Sequence, residues 1–114
     1  MIGRHYSKHS YNCAHFVSDW YREKLGITVP VINEFDRSFV VWMRKHFSEI
    51  PKPKDHALVL MTNSDGGYHV GIYCENGVFH NFSDGVTSGA VCKWTLGTVI
   101  NYYENRVRYY EWSG

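Results

Sequence analysis

The hydrophobic pattern of this chain changes its period at the segment PKPK, residues 51–54, near the middle of its 114 residues. Before this segment, apolar residues recur every three or four positions, which is typical of amphipathic helices. After it, they form short runs separated by turn residues, which is typical of strands. Helices followed by an antiparallel meander predict the α+β class. A chain of this length predicts one domain, residues 1–114.

The first half of the chain predicts two helices. Residues 13–25 carry an apolar stripe that ends at Gly26, and Asn12 is a suitable N-cap. A second stripe runs from Phe35 to Phe47, and Asn33 can cap that helix.

The second half of the chain predicts an antiparallel sheet. Residues 57–61 form a continuous apolar run, as expected of a central strand that is covered on both faces. Residues 98–103 are compatible with either a strand or a helix. Further strands are predicted at residues 69–74, 78–82, 89–94 and 107–112.

Cys13 is the candidate nucleophile because it falls at the first turn of the first predicted helix. The positive end of a helix dipole favours the thiolate, which is the reactive form of the side chain. The chain has three cysteines, and an odd number does not indicate a disulfide framework. We expect Cys74 and Cys92 to be buried free thiols, although their pairing in an oxidising compartment stays open at this point.

A thiolate nucleophile needs a base, and His69 is the best candidate. Strand alternation places His69, Gly71 and Tyr73 on one face. We expect Gly71 to leave this face open, so that the first helix lies across it and brings Cys13 within reach of His69. Tyr73 would then give the cleft an aromatic wall.

A third group should orient the imidazole of His69. A two-residue turn at residues 76–77 would place His80 opposite Tyr73, on the face of His69, with strand twist or a bulge closing the remaining gap. His80 is therefore favoured. Asn81 is the alternative, and it shares that face only if the return strand is bulged.

The oxyanion of such a reaction needs hydrogen-bond donors. The backbone N–H of Cys13 is available at the helix start. The lead-in to the helix would supply the second donor, and Tyr6 and Tyr11 are the candidates there.

Several function classes are not indicated. The net charge of +1 does not predict a search for nucleic acid or anionic lipid. No C-x-x-C or H-E-x-x-H spacing predicts a metal site, and no cofactor is expected. No stretch approaches the roughly 20 apolar residues of a membrane span. The N-terminal residues carry no apolar run, so no signal peptide is expected.

Four segments of the chain resemble the NlpC/P60 cysteine peptidases. Residues 12–27 are similar to the nucleophile helix of that family through NCAHFV, WYRE and GI. The strings ALVL at residues 57–60, HVGIY at 69–73 and NGVFH at 76–80 look like its central strands. The string NCAHF is also similar to the lecithin retinol acyltransferase-like group, in which the histidine strand precedes the cysteine. The CHAP amidases share the Cys-then-His order but usually lack the HVGIY and NG form.

The resemblance implies a papain-like fold and hydrolysis of amide bonds in bacterial cell-wall (peptidoglycan) peptides. Short members of the family occur among tail-tip components of phages, so phage tail proteins are expected partners, and a virion-associated or cytoplasmic location is expected. Asn12 and Ala14 depart from the usual motif around the cysteine. The usual family spacing would select Asn81 as the third residue, and a one-residue-shorter hairpin would select His80. Two alternatives remain: a structural tail component with little catalysis, and a cysteine hydrolase or acyltransferase on another substrate.

Overall fold

The computed structural model describes residues 13–29, 37–82 and 90–113, and the side chains at positions 13–15, 37–40, 42, 82 and 90 are outside that description. Within these ranges the protein has a mixed α+β fold, in which helices pack on a six-stranded antiparallel sheet. The predicted class is therefore confirmed. Asn12, Asn33, Phe35, Tyr6 and Tyr11 lie outside the described residues.

The first helix has the bounds that its apolar stripe predicts. Helix α1 spans Cys13–Trp20, and a π-helical turn at Tyr21–Leu25 continues it. Gly26 ends the helix in the left-handed conformation at φ 66°, and its N–H donates to the carbonyls of the last turn.

The second predicted helix is shorter than its stripe suggests. Helix α2 spans Arg37–His46, and Phe47 already belongs to strand β1, Phe47–Ile50. The expectation that Phe47 continues the helix was wrong. Its ring packs edge-on against Trp112 at 5.2 Å, because β1 pairs with the last strand of the sheet and the tertiary contact overrides the helical spacing.

The ambiguous segment is a helix, α3, at Leu96–Tyr102. Its N-cap is Thr95, whose hydroxyl accepts a hydrogen bond from the backbone N–H of Thr98 at 3.2 Å. Within the described ranges, none of the helices is long and apolar enough to cross a membrane.

The sheet has the strand order β1-β6-β2-β3-β4-β5. Strands β2 to β5 form the expected meander, whereas β6 returns to pair with β2 and β1 rather than with β5. The remaining strands are β2 at Ala57–Thr62, β3 at Tyr68–Cys74, β4 at Gly77–Phe82, β5 at Ala90–Thr95 and β6 at Val107–Trp112.

The sheet is covered on both of its faces, as the continuous apolar run of β2 predicts. We call one face the α1 face, because α1 packs there on β3 and β4. The other is the α3 face, which α3 covers in part. Tyr110 lies in the core of the α1 face and Tyr109 packs on that of the α3 face, as the alternation of side chains along β6 requires.

The hairpin between β3 and β4 turns one residue earlier than predicted. Glu75 and Asn76 both have positive φ, 53° and 63°, so they form the two-residue turn, and Gly77 pairs with Cys74. His80 is consequently opposite Gly71 and not opposite Tyr73. The shift moves the pairing by two positions, which keeps His80 on the face of His69 and brings it closer without a bulge.

Candidate functional site

His69 and His80 form a hydrogen-bonded pair on the α3 face. The Nε2 atom of His69 lies 2.9 Å from Nδ1 of His80, and the two rings meet edge to face at 5.1 Å. His69 is the second residue of β3, and His80 is diagonal to it on β4. The structure therefore brings together two of the residues that the sequence singled out.

Gly71 makes this close pairing possible. A Cβ atom at this position would lie 2.6 Å from the carbonyl oxygen of Phe79 and 2.9 Å from Cβ of His80. We expected Gly71 to admit another backbone onto an open face. The backbone that approaches is instead that of the neighbouring strand, β4.

Aromatic side chains cover the histidine pair. Tyr103, just after α3, stacks on His69 with ring centres 6.4 Å apart, and Trp94 of β5 meets the His80 ring edge-on at 4.5 Å. His80 is fully buried and His69 half-buried. The expectation of an open face was wrong at the histidine pair, because the segment that the sequence left ambiguous folds as α3 and, together with Trp94, covers part of it.

Helix α1 lies on the opposite face of the sheet from the histidine pair. Its Trp20 ring packs against Phe79 at 5.1 Å, and Phe16 and Val17 are buried in the same cluster as Val70 and Val91. The expectation that this helix lies across the His69 face was therefore wrong. The apolar side chains of β3 and β4 are on the α1 face, and they attract the apolar stripe of the helix.

The far end of α1 is anchored at the start of β2. The Trp20 indole donates to Nδ1 of His56 at 3.1 Å, and the Tyr21 hydroxyl donates to the His56 carbonyl. Phe16, one helical turn before Trp20, is fully buried in the apolar cluster of the α1 face. His69 and Asn81 are at the ends of β3 and β4 that are distant from the hairpin turn.

Cys13 begins α1, and its side chain is outside the described part of the structure. From Trp20 back to Cys13 the helix rises about 10 Å. From Tyr73 back to His69 strand β3 covers about 13 Å. The two lengths are therefore similar.

Burial keeps both histidines neutral. It lowers the pKa of His69 well below its ordinary value, and the nearby charge of His80 lowers it further. Burial also lowers the pKa of His80. Two neutral imidazoles share one hydrogen in their bond, so one ring donates and the other accepts, and a further nitrogen of the pair can take a proton.

Asn81 and Tyr73, the other predicted residues within the described ranges, lie apart from this pair. Asn81 is fully buried, and strand alternation puts it on the α1 face, where it pairs with Val91. Tyr73 is half-buried on the α3 face, and its hydroxyl donates to Oδ1 of Asn76 at 3.5 Å. Among the described residues, His80 is therefore the one placed to orient His69.

The two other cysteines are free thiols on opposite faces of the sheet, which confirms the expectation that they do not pair. Burial raises the pKa of Cys74 and of Cys92, which disfavours the thiolate at both positions. Cys74 is buried as expected, whereas Cys92 is partly exposed.

Sequence reasoning missed three neighbours of the histidine pair: Cys92, Trp94 and Tyr103. The Sγ atom of Cys92 lies 3.8 Å from Nε2 of His80. The alternation of β5 puts Cys92 and Trp94 on one face, which was a usable signal, but only the register of β5 on β4 shows that Cys92 is opposite His80.

Among the residues that the structure describes, no group of three or more His, Cys, Asp and Glu side chains is placed to hold a metal ion. No family model and no curated protein matches this chain.

Proposed function

We propose that this chain is a cysteine hydrolase that cleaves amide bonds in peptides of the bacterial cell wall. Cys13 is the nucleophile, His69 the base and His80 the group that orients His69, on a papain-like fold of the NlpC/P60 type. The observation that carries the proposal is the 2.9 Å contact between the two histidines, which β3 and β4 hold side by side.

The chemistry follows from these roles. His69 takes the proton of the Cys13 thiol, and the thiolate attacks the carbonyl carbon of the scissile amide. The backbone N–H of Cys13 donates to the developing oxyanion. The imidazolium of His69 then gives its proton to the leaving amine, and a thioester remains. Water, deprotonated by His69, releases the acid and restores the thiol.

The proposal requires Cys13 to reach His69 around the start of β3. Since α1 packs on the other face of the sheet, its side chains do not approach His69 across β3. His69 is the second residue of its strand and half-buried, so it is near the point where the sheet ends. The length of α1 supports this arrangement, because the helix is long enough to extend from its anchor at His56 to the level of His69.

Cys13 is favoured as nucleophile by contrast with the other thiols. Its backbone opens an α-helix, where the dipole favours the thiolate, whereas burial disfavours the thiolates of Cys74 and Cys92. The near-zero net charge suits peptides that carry both carboxylates and amines. The cell-wall substrate, and delivery by a phage tail, are taken from the family resemblance.

A second candidate function is a structural component of a phage tail in which hydrolysis has little importance. The observation that favours it is the cover on the histidine pair, since His80 is fully buried beneath Trp94. In a catalytic role, Cys13 and the substrate would therefore have to reach only His69, through its half-buried edge.

The test is digestion of purified cell-wall sacculi by the wild type, Cys13→Ala and His69→Ala, with the products identified by mass spectrometry. We expect short wall peptides from the wild type only, since nucleophile and base act as one unit. Cys74→Ala is the matched control and should retain activity. Cleavage of a denatured protein or a lipid ester, without cleavage of sacculi, would show that the enzyme acts on a substrate other than the cell wall. Turnover of none of them would leave the structural candidate.

A further inference from the structure

Three side chains form a hydrogen-bonded chain across three strands. Cys92 Sγ is 3.8 Å from Nε2 of His80, and His80 Nδ1 is 2.9 Å from Nε2 of His69. Both nitrogens of the fully buried His80 are therefore engaged, one by the candidate base and one by a cysteine. The proposed mechanism uses only the first of these contacts.

We infer that Cys92 is a positioning residue, whose sulfur accepts a hydrogen bond from Nε2–H of His80 and so sets the tautomers of both histidines. The inference rests on the proposed function in taking His69 as the base. It assigns Cys92 no contact with the substrate.

The donors and acceptors along this chain of side chains determine one another. For His69 to take a proton at Nδ1, its hydrogen must be on Nε2, which then donates to Nδ1 of His80. His80 must consequently carry its own hydrogen on Nε2, where it faces Cys92. If the Cys92 thiol donated to His80 instead, every hydrogen along the chain would be reversed, and Nδ1 of His69 would already be protonated.

Two features favour sulfur as the acceptor. During the reaction His69 becomes an imidazolium and must donate from Nε2, which demands an acceptor at Nδ1 of His80. A thiol hydrogen is also a weak donor, so it competes poorly for the opposite arrangement.

The experiment is nitrogen NMR of the folded protein with ¹⁵N-labelled histidine at neutral pH. The spectrum distinguishes protonated from bare ring nitrogens and needs no substrate. We expect His69 and His80 of the wild type to carry their hydrogens on Nε2. Cys92→Ala should give a mixture of tautomers at His80, Cys92→Ser should restore the wild-type pattern because its hydroxyl accepts, and Cys74→Ala should change nothing.

Hydrogen on Nδ1 of His80 in the wild type would overturn the inference, and this readout stands even if Cys92→Ala does not fold. Unchanged tautomers in Cys92→Ala would overturn it as well. Hydrolysis of sacculi is measured separately: we expect kcat to fall about tenfold or more in Cys92→Ala with KM unchanged. The predicted tautomers in a wild type that fails to cleave sacculi would support the hydrogen-bond assignment and reject the proposed function.

Discussion

At the scale of single residues, the candidate site depends on small, specific contacts. The sequence identified His69 and His80 because strand alternation places them on one face. The distance between the two histidines was not predictable. The hairpin turns at Glu75 and Asn76, one residue before the Asn76-Gly77 pair from which the turn was predicted. The sequence is compatible with a turn at residues 75–76 and with a turn at residues 76–77. Only the strand pairing in the folded sheet distinguishes the two.

His80→Ala should lower kcat toward sacculi by about 100-fold or more, because it removes the group that holds Nε2 of His69. Asn81→Ala is the matched control, since Asn81 is equally buried but lies on the α1 face. After the rates are corrected for the fraction of folded protein, the kcat of Asn81→Ala should change much less than that of His80→Ala. A larger loss for Asn81→Ala would identify Asn81 as the third residue and remove His80 from the mechanism.

Gly71→Ala should destabilise the fold by about 1–3 kcal/mol, because its new Cβ meets the Phe79 carbonyl and His80 at less than 3 Å. Gly97→Ala, in α3, is the control: nothing lies within 4 Å of its Cβ, and alanine favours a helix. Urea denaturation measures both. Equal stability of the two variants would show that β4 does not approach Gly71 as described.

At the scale of elements, the helical stripe of α1 and the central strand β2 were predictable, because each has a clear period and is bounded by glycine or turn residues. The extent of α2 was not predictable, since Phe47 fits a helical stripe equally well and becomes a strand residue only through Trp112, 65 positions further along the chain. The face on which α1 packs was predictable from the alternation of β3, because Val70, Ile72 and Cys74 share the face opposite His69, whereas the expected contact of Cys13 with His69 led to the wrong face.

Glu75→Gly should stabilise the protein by about 0.5–1 kcal/mol, because glutamate at φ 53° is strained and glycine is not. The same substitution at Glu23, in the right-handed π-helical turn, should destabilise it by about 1 kcal/mol. Thermal unfolding of the two variants checks the opposite signs. Destabilisation by Glu75→Gly would contradict the turn described for the β3–β4 hairpin.

At the scale of the whole molecule, the histidine pair links stability to pH. The folded state lowers the pKa of His69 and of His80 below the ordinary value of 6.5, so the unfolded chain binds more protons as the pH falls. Stability should therefore be independent of these groups above about pH 6.5 and decrease as the pH falls below it. The loss should continue toward the lowered pKa values of the folded state.

The measurement is the free energy of unfolding from urea titrations between pH 7.5 and about pH 4.5. His69→Gln/His80→Gln should show a shallower decrease than the wild type, because the variant lacks the two groups whose pKa the fold lowers. Identical slopes for the wild type and the double variant would mean that the pair is not buried and neutral in solution.

The activation of Cys13 by His69 is the central claim, and alkylation with iodoacetamide near pH 6.5 tests it most directly. Brief labelling and peptide mapping give a separate rate for each of the three cysteines. We predict that Cys13 reacts at least about tenfold faster than Cys74 and Cys92, and that His69→Ala removes most of this advantage whereas His46→Ala does not. Equal rates at all three cysteines, or a Cys13 rate that His69→Ala leaves unchanged, would contradict the account.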